Sequence, residues 1–272
     1  MAMSVVQLES HDAENIENVD NFLDKTESKR ASAYVEEIHP RNWRRILAES
    51  LRKNFPGWPD ATLEVLCAAA RMQSHFDSTL IYAKGEIGAS LLLVISGSLE
   101  LSIGNVEGKR VVMNYIPPME ISNIVPVMDG APIAHDYRTH GKTVLAYIPK
   151  TIFLQQLVNS PQLMSSVVTM LCQRNRQLQD YASYLSLASF RSKLAARLLY
   201  LGGKYGRTRQ DGQNGIDIDI KLSQENLASL LVASRQSIGK ELRWLAEKNI
   251  VAIEYNKVTI FDWQALERLS AV

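Results

Sequence analysis

Residues 221–248 read KLSQENLASLLVASRQSIGKELRWLAEK, two short amphipathic helices with a tight turn between them. Leu227, Leu230 and Leu231 face inward from the first helix, and Ile238, Leu242 and Leu245 answer from the second at three-to-four-residue spacing. Ser223 stands at the first N-cap with Glu225 in the positive first turn, although a strict capping box would want the acid one residue later. Ser234 caps the second helix, and Ala228 is small where the two must cross closely. Removing the inward residues from the second helix leaves Arg235, Gln236, Ser237, Lys240 and Arg243 on its other side, near its N-terminus. Reading a DNA major groove takes long donors for guanine N7 and O6, an amide for adenine and cations for phosphate, and these side chains supply them. Downstream, Val251 to Tyr255 and Val258 to Phe261 flank Asn256-Lys257 and predict a β-hairpin. A hairpin there is the wing of a winged helix-turn-helix, with Lys257 at its tip placed for a backbone phosphate. Asp262 caps a last short helix with Trp263 and Leu266. Any two amphipathic helices joined by a short turn give part of this pattern; the wing, the cap serines and the Arg/Gln/Lys/Arg face distinguish it.

Upstream, Ser160-Pro161 marks a helix start. Met164, Leu171, Leu178 and Leu185 follow at intervals of seven, with Val167, Arg174, Tyr181 and Ala188 three residues after each. Such a seam suggests two helices packed as a coiled coil, its interior arginine making it imperfect. Roughly 28 residues would span about 40 Å, more than one compact core needs, so an intersubunit role is expected. A further helix carries Leu187, Phe190, Leu194, Leu198 and Leu201 and is expected to stop at Gly202-Gly203, followed by a loop over 205–215.

Between Thr79 and Ile148 the period shortens. Thr79 to Ala83, Leu91 to Ile95, Ser98 to Ile103, Arg110 to Tyr115 and Thr143 to Ile148 alternate with turns at Gly85, Gly88, Gly97, Gly104, Gly108, Gly130 and Gly141. Half of the chain's 14 glycines fall in this window, which predicts a small antiparallel barrel or jelly roll. Before it lie an amphipathic helix from Arg41 to Lys53, ended by Pro56, and a second near Asp60 to Arg71.

The whole chain has 272 residues and a net charge of +1, from 30 basic and 29 acidic side chains. Residues 1–37 alone carry nine acids and three bases, a net of −6, which leaves 27 bases and 20 acids, or +7, on the remainder. Near-neutrality is therefore no argument against a polyanionic partner. Cys67 and Cys172 are the two cysteines, read as buried thiols in a reducing compartment, with no spacing of metal or Fe–S ligands. No apolar run is long enough to span a membrane and the N-terminus is acidic, so a soluble cytoplasmic protein without membrane partner is expected.

The stretches TLIYAKGEIGASLLLVISGSLELSI (79–103) and SQENLASLLVASRQSIGKELRWLAEKNIV (223–251), with the long helix after Pro161, resemble the Crp–Fnr family of bacterial transcription regulators from about Pro56 to Phe261. The resemblance implies an α+β chain: an N-terminal antiparallel β-barrel of the cyclic-nucleotide-binding kind with eight strands, a dimerisation helix, and a C-terminal winged helix-turn-helix. The implied partners are double-stranded DNA carrying a near-palindromic site, a second copy of the chain, and RNA polymerase. Expected boundaries are 1–54 for an acidic tail plus amphipathic helix, 55–158 for the barrel, 159–188 for the dimerisation helix and 189–272 for the DNA-binding domain. Met164, Val167, Leu171, Arg174, Leu178, Tyr181 and Leu185 form the expected dimer interface.

Position by position, the resemblance puts Ser223 on a phosphate and Arg235 on a guanine. Gln236 replaces a usual glutamate, Lys240 a usual arginine, losing its bidentate fork, and Val232 a common turn glycine. In MEISNIVPVMDGAPIAHDY (119–137), Ser122-Asn123 and Ala134-His135 stand where the cyclic-nucleotide branch has a glutamate for the ribose and an arginine for the phosphate. Leu178 replaces its adenine-contacting threonine. A phosphate without its cation in a closed pocket would cost several kcal/mol, which argues against cyclic AMP. The Fe–S branch needs four cysteines. A haem or metal branch would have to use His75, His135, His140 or Cys67, for which exposed loop histidines are the plainer reading. No cofactor is expected and the effector is left unassigned. A metal-binding β-barrel enzyme would need a His-x-His pair, and His135 and His140 are five apart. With no nucleophile elbow or phosphate-cradling glycine loop either, an enzyme is not expected.

Overall fold

A computed structural model describes residues 42–104, 110–209, 214–254 and 256–271. The acidic segment, Arg41, Gly108 and Tyr255 lie outside them. The fold is α+β: an antiparallel roll with helices on one side, a long helix, and a four-stranded sheet with helices that includes the helix-turn-helix.

Helix α1 (Trp43–Asn54) buries Ile46, Leu47 and Leu51 and ends before Pro56. Helix α2 (Asp60–Ala69) is shorter than expected. Ala70 is already extended, and Arg71 opens strand β1 (Arg71–His75) because its backbone pairs with a later strand. Strand β2 (Leu80–Tyr82), β3 (Ser90–Gly104), β4 (Arg110–Ile116), β5 (Ile121–Ser122) and β6 (Asp136–Pro149) complete the roll, in the order β1-β6-β3-β4 with β2 on β6 and β5 on β3. Two strands were expected on either side of a turn at Gly97; β3 runs through instead. Gly97 has φ +80°, and a Cβ there would sit 2.5 Å from the Lys142 carbonyl oxygen, so this glycine makes an irregularity inside a strand. The roll has six strands among the described residues rather than the implied eight, and β3 and β6 are long, at 15 and 14 residues. Helix α3 (Ile124–Asp129) and helix α4 (Lys150–Val158) were not foreseen.

Alternation along β3 divides the apolar residues of the roll. Leu92, Val94 and Leu99 point inside with Ile116, Ile133, Tyr137 and Leu145, while Leu91, Leu93 and Ile95 face the helices with Phe55, Trp58 and Phe153. Helix α5 (Pro161–Leu187) follows. Ser160 is its N-cap by position, but its hydroxyl makes no capping bond and turns to Gln162.

Helix α6 (Phe190–Tyr205) passes through Gly202-Gly203, contrary to expectation. A Cβ on Gly202 would lie 2.8 Å from Ile260 Cδ1 and 2.9 Å from the Trp263 ring, so this glycine permits close packing rather than ending a helix. The expected loop over 205–215 contains strand β7 (Gly206–Thr208), and β8 (Ile216–Ile218) follows it. They extend the wing hairpin, β9 (Val251–Glu254) and β10 (Lys257–Ile260), into a sheet ordered β7-β8-β10-β9. Helix α7 (Gln224–Leu230) packs on β4 and on helix α8 (Arg235–Glu247), which packs on this sheet at β9, and α9 (Trp263–Ser270) packs on α6.

Candidate nucleic-acid interface

Helix α8 presents the side chains expected to read DNA. Ile238, Leu242 and Leu245 are buried, whereas Ser234, Arg235, Gln236, Ser237, Lys240 and Arg243 are exposed. Ser234 Oγ accepts from Ser237 N at 3.0 Å, fixing the end from which Arg235 and Gln236 project. The acid on this helix nearest the face is held away from it: Glu241 accepts from Arg191 Nε at 2.6 Å, and the same guanidinium stacks on Trp244 at 3.7 Å. Among the described residues, Arg235, Lys240 and Arg243 have no ion-pair partner, so their charge remains available to a polyanion.

Helix α7 supports this arrangement differently from expectation. Ser223 does form a capping box, with Asn226 in place of an acid: Asn226 N donates to Ser223 Oγ at 3.0 Å and Ser223 N donates to Asn226 Oδ1 at 2.9 Å. The Ser223 hydroxyl is half-buried and also donates to Asn226 Oδ1, at 2.6 Å. A phosphate there would compete with the cap. Sequence reasoning missed Asn226 because the motif sought an acidic or Gln side chain at that position.

Val232, between the helices, has φ +50° and is four-fifths exposed. The turn therefore keeps the backbone that glycine favours, at the cost of strain on a β-branched residue. Val232→Gly is expected to raise stability by about 1 kcal/mol, read as a higher urea midpoint with an unchanged slope; a lower midpoint would show that no strain is stored there.

Lys257 opens β10, opposite Glu254, and its Nζ lies 2.6 Å from Asp217 Oδ2. Burial pushes the Asp217 carboxyl up, but hydrogen bonds from Lys257 and Thr259 and the charges of Lys257 and Arg209 reverse this and hold it below the ordinary carboxylate range. A carboxyl depressed on folding contributes stability above its unfolded value of about 3.9 and loses it as pH falls through its folded value. The expected phosphate contact at Lys257 thus has an internal competitor.

The helix-turn-helix part leans on the roll. Val112 N donates to Ser229 Oγ at 2.7 Å, Ser98 Oγ and Tyr205 Oη are 2.8 Å apart, and His140 Nε2 donates to the Lys221 carbonyl at 2.8 Å. Val112 and Tyr115 of β4 belong to the same apolar cluster as Leu227, Leu242 and Leu245.

Along α5 the expected seam divides. Val167 is fully buried and Met164 and Leu171 pack on the same chain's core, which removes Val167 from any surface a second copy could touch. Leu178 is 66% exposed and Leu187 75% exposed in the C-terminal half, while Val168, off the expected seam, is 50% exposed in the N-terminal half. Arg174, Tyr181 and Leu185 are half-exposed, Tyr181 accepting from Arg197 at 3.0 Å.

In the roll, Ser122 and Asn123 are buried, Asn123 at φ +65° with Nδ2 donating to Ser90 O at 2.8 Å. Ala134 and His135 lie between α3 and β6, outside both. His75 meets the Tyr147 hydroxyl at 2.9 Å, Cys67 is half-buried with its thiol pushed up by burial, and Cys172 is exposed rather than buried. Among the described residues, no three His, Cys, Asp or Glu side chains are grouped to hold a metal. Among them, too, no helix is long and apolar enough to cross a membrane.

Comparison with known proteins gives two domain matches: a Crp-like helix-turn-helix domain over residues 192–269 and a cyclic nucleotide-binding domain over residues 77–160. A CRP-like cAMP-activated global transcriptional regulator of Mycobacterium tuberculosis is 23% identical over 69% of this chain and 83% of its own length. A global nitrogen regulator of Synechococcus elongatus is also 23% identical, over 69% of this chain and 84% of its own. The solved structure of FixK2 from Bradyrhizobium japonicum superposes with a TM-score of 0.64 at 15% identity, covering 75% of this chain and 98% of that one.

Proposed function

We propose that this chain, a member of the Crp–Fnr family of transcription regulators, binds a near-palindromic site on double-stranded DNA as a homodimer, with α8 in the major groove and without control by cyclic AMP. The observation that carries this reading is the exposed row of Arg235, Lys240 and Arg243, without ion-pair partners among the described residues, running from the capped end of a helix whose other face is core. Gln236 and Ser237 add donors for base edges, and Ser223 and Lys257 reach phosphates at the margin. Exposed Leu178 and Leu187, with Tyr181 and Leu185, supply apolar surface for a second copy along the C-terminal half of α5. Two copies place two reading helices on one duplex, the arrangement a palindrome requires. We place the chain in the cytoplasm with its DNA, in contact with RNA polymerase, and as a regulator rather than an enzyme. The proposed organisation is residues 1–54 as extension, 55–158 as roll, 159–188 as dimer helix and 189–272 as DNA-binding part.

Cyclic AMP is disfavoured because Ser122-Asn123 and Ala134-His135 offer no carboxylate and guanidinium pair, and because Leu92, Val94, Leu99, Tyr137 and Leu145 occupy the roll interior. One atom favours a second reading, in which the roll holds some other small ligand: Asn123 Oδ1 is buried with no hydrogen-bond partner among the described residues.

Selection of bound duplexes from a random pool tests the main reading. Enrichment of a two-fold symmetric motif, with affinity falling steeply as salt rises, is expected; a pool without consensus would reject it. Asp217→Asn should release Lys257, tightening binding on all sequences and steepening the logarithmic salt dependence by about 1. An unchanged slope in a filter-binding series would show that Lys257 does not reach phosphate.

A further inference from the structure

Glu9, Asp12, Glu14, Glu17, Asp20 and Asp24 stand in the stretch 9–24 with no lysine or arginine among them. The bases Lys25, Lys29 and Arg30 come later and are matched in number by Glu27, Glu36 and Glu37, so the whole net charge of −6 on residues 1–37 sits in 9–24. Such a run of carboxylates needs cations that nothing else has neutralised. On α1, Arg45 pairs with Glu49, Arg52 with Asp60, and Lys53 has a partner as well, which leaves Arg44 alone there among the described residues. On α8, Arg235, Lys240 and Arg243 are all exposed and have no ion-pair partner among the described residues. They fall within about 12 Å of helix axis, beginning at the positive end of the helix dipole. Three like charges so close repel one another, and carboxylates laid along them turn that repulsion into attraction.

The chain between them is long enough. Asp24 lies 18 residues before Asn42, the first described residue, and 18 residues reach up to about 60 Å when extended. A body the size of the described residues has a radius of gyration of about 17 Å. Tethering presents the carboxylates to α8 at an effective concentration of about millimolar.

We propose that the acidic stretch 9–24 seats on the cationic face of α8 and competes with DNA for it, an inference that rests on α8 being the DNA reader. Because the stretch must leave before any duplex binds, it weakens selected and non-specific duplexes by the same factor.

Filter binding of the full chain at low salt tests the competition. Glu14→Gln, Glu17→Gln and Asp20→Asn, made together, should tighten binding at least fivefold on both kinds of duplex, with the gain shrinking as salt rises. The same change of net charge made on the body, at exposed Glu64→Gln, Glu86→Gln and Asp129→Asn, should tighten it less than twofold. Carbodiimide coupling of the full chain without DNA tests the contact itself, since it joins a carboxylate to an amine that touches it. A link from 9–24 to Lys240 Nζ is expected, fading at high salt. That link, with no DNA binding by any of the proteins, would uphold the contact and reject α8 as the DNA reader. Equal gains from the two sets of substitutions, unchanged affinity in the first set, or coupling that never reaches Lys240 would overturn the proposal.

Discussion

Leu242→Ala is expected to lower the stability of the fold by about 2 to 5 kcal/mol, the range for removing a buried leucine side chain and leaving a cavity. Leu242 is 1% exposed and belongs to a cluster that joins α6, α7, α8 and the wing. The helix that carries Leu242 packs on α6, α7 and β9, so the hole cannot be closed by a shift of one of them. Urea unfolding should show a lower midpoint at unchanged slope. Arg243→Ala, one residue along on the exposed side, should stay within about 0.5 kcal/mol of wild type. If the two variants were equally stable, the division of α8 into a core face and a reading face would be wrong.

Arg235→Ala acts on the other face. It is expected to weaken binding to the selected site by about 1 to 3 kcal/mol while leaving the unfolding midpoint in place. The loss should be confined to duplexes carrying the guanine that Arg235 reads, so specificity relaxes at that base pair. Lys240→Ala should instead weaken binding to all duplexes and shallow the salt dependence by about 1, since an ammonium acts as a point charge on phosphate. An Arg235→Ala protein that keeps wild-type preference at every position would remove Arg235 from the base-reading role.

Much of this was legible in the sequence for a local reason. The period of Leu227 to Leu245, the serines at 223 and 234 and the hairpin after Val251 each follow from neighbours a few residues away. What escaped depended on distant partners. Gly97 and Gly202 look like punctuation along the chain, yet their roles are set by Lys142, Ile260 and Trp263. Strands β1, β7 and β8 are three to five residues long, with too few alternations to announce themselves, and exist because a partner strand pairs with them. The seam on α5 was read as one face for a second copy, but a heptad cannot say which copy its residues touch, and Val167 turned to its own core. The pairing of Lys257 with Asp217, 40 residues earlier, was equally invisible.

The apolar cluster that takes in Val112 and Tyr115 of β4 together with Leu227 and Leu242 has a thermodynamic consequence. A cluster that crosses from the roll into the reading unit makes the two a single cooperative unit. Amides of α7 and β4 should therefore exchange with solvent deuterium at matching, slow rates, and calorimetry should show one endotherm rather than two. Any perturbation that loosens β4 would then be felt as faster exchange in the helix that seats the DNA reader, with no chemical signal passing between them.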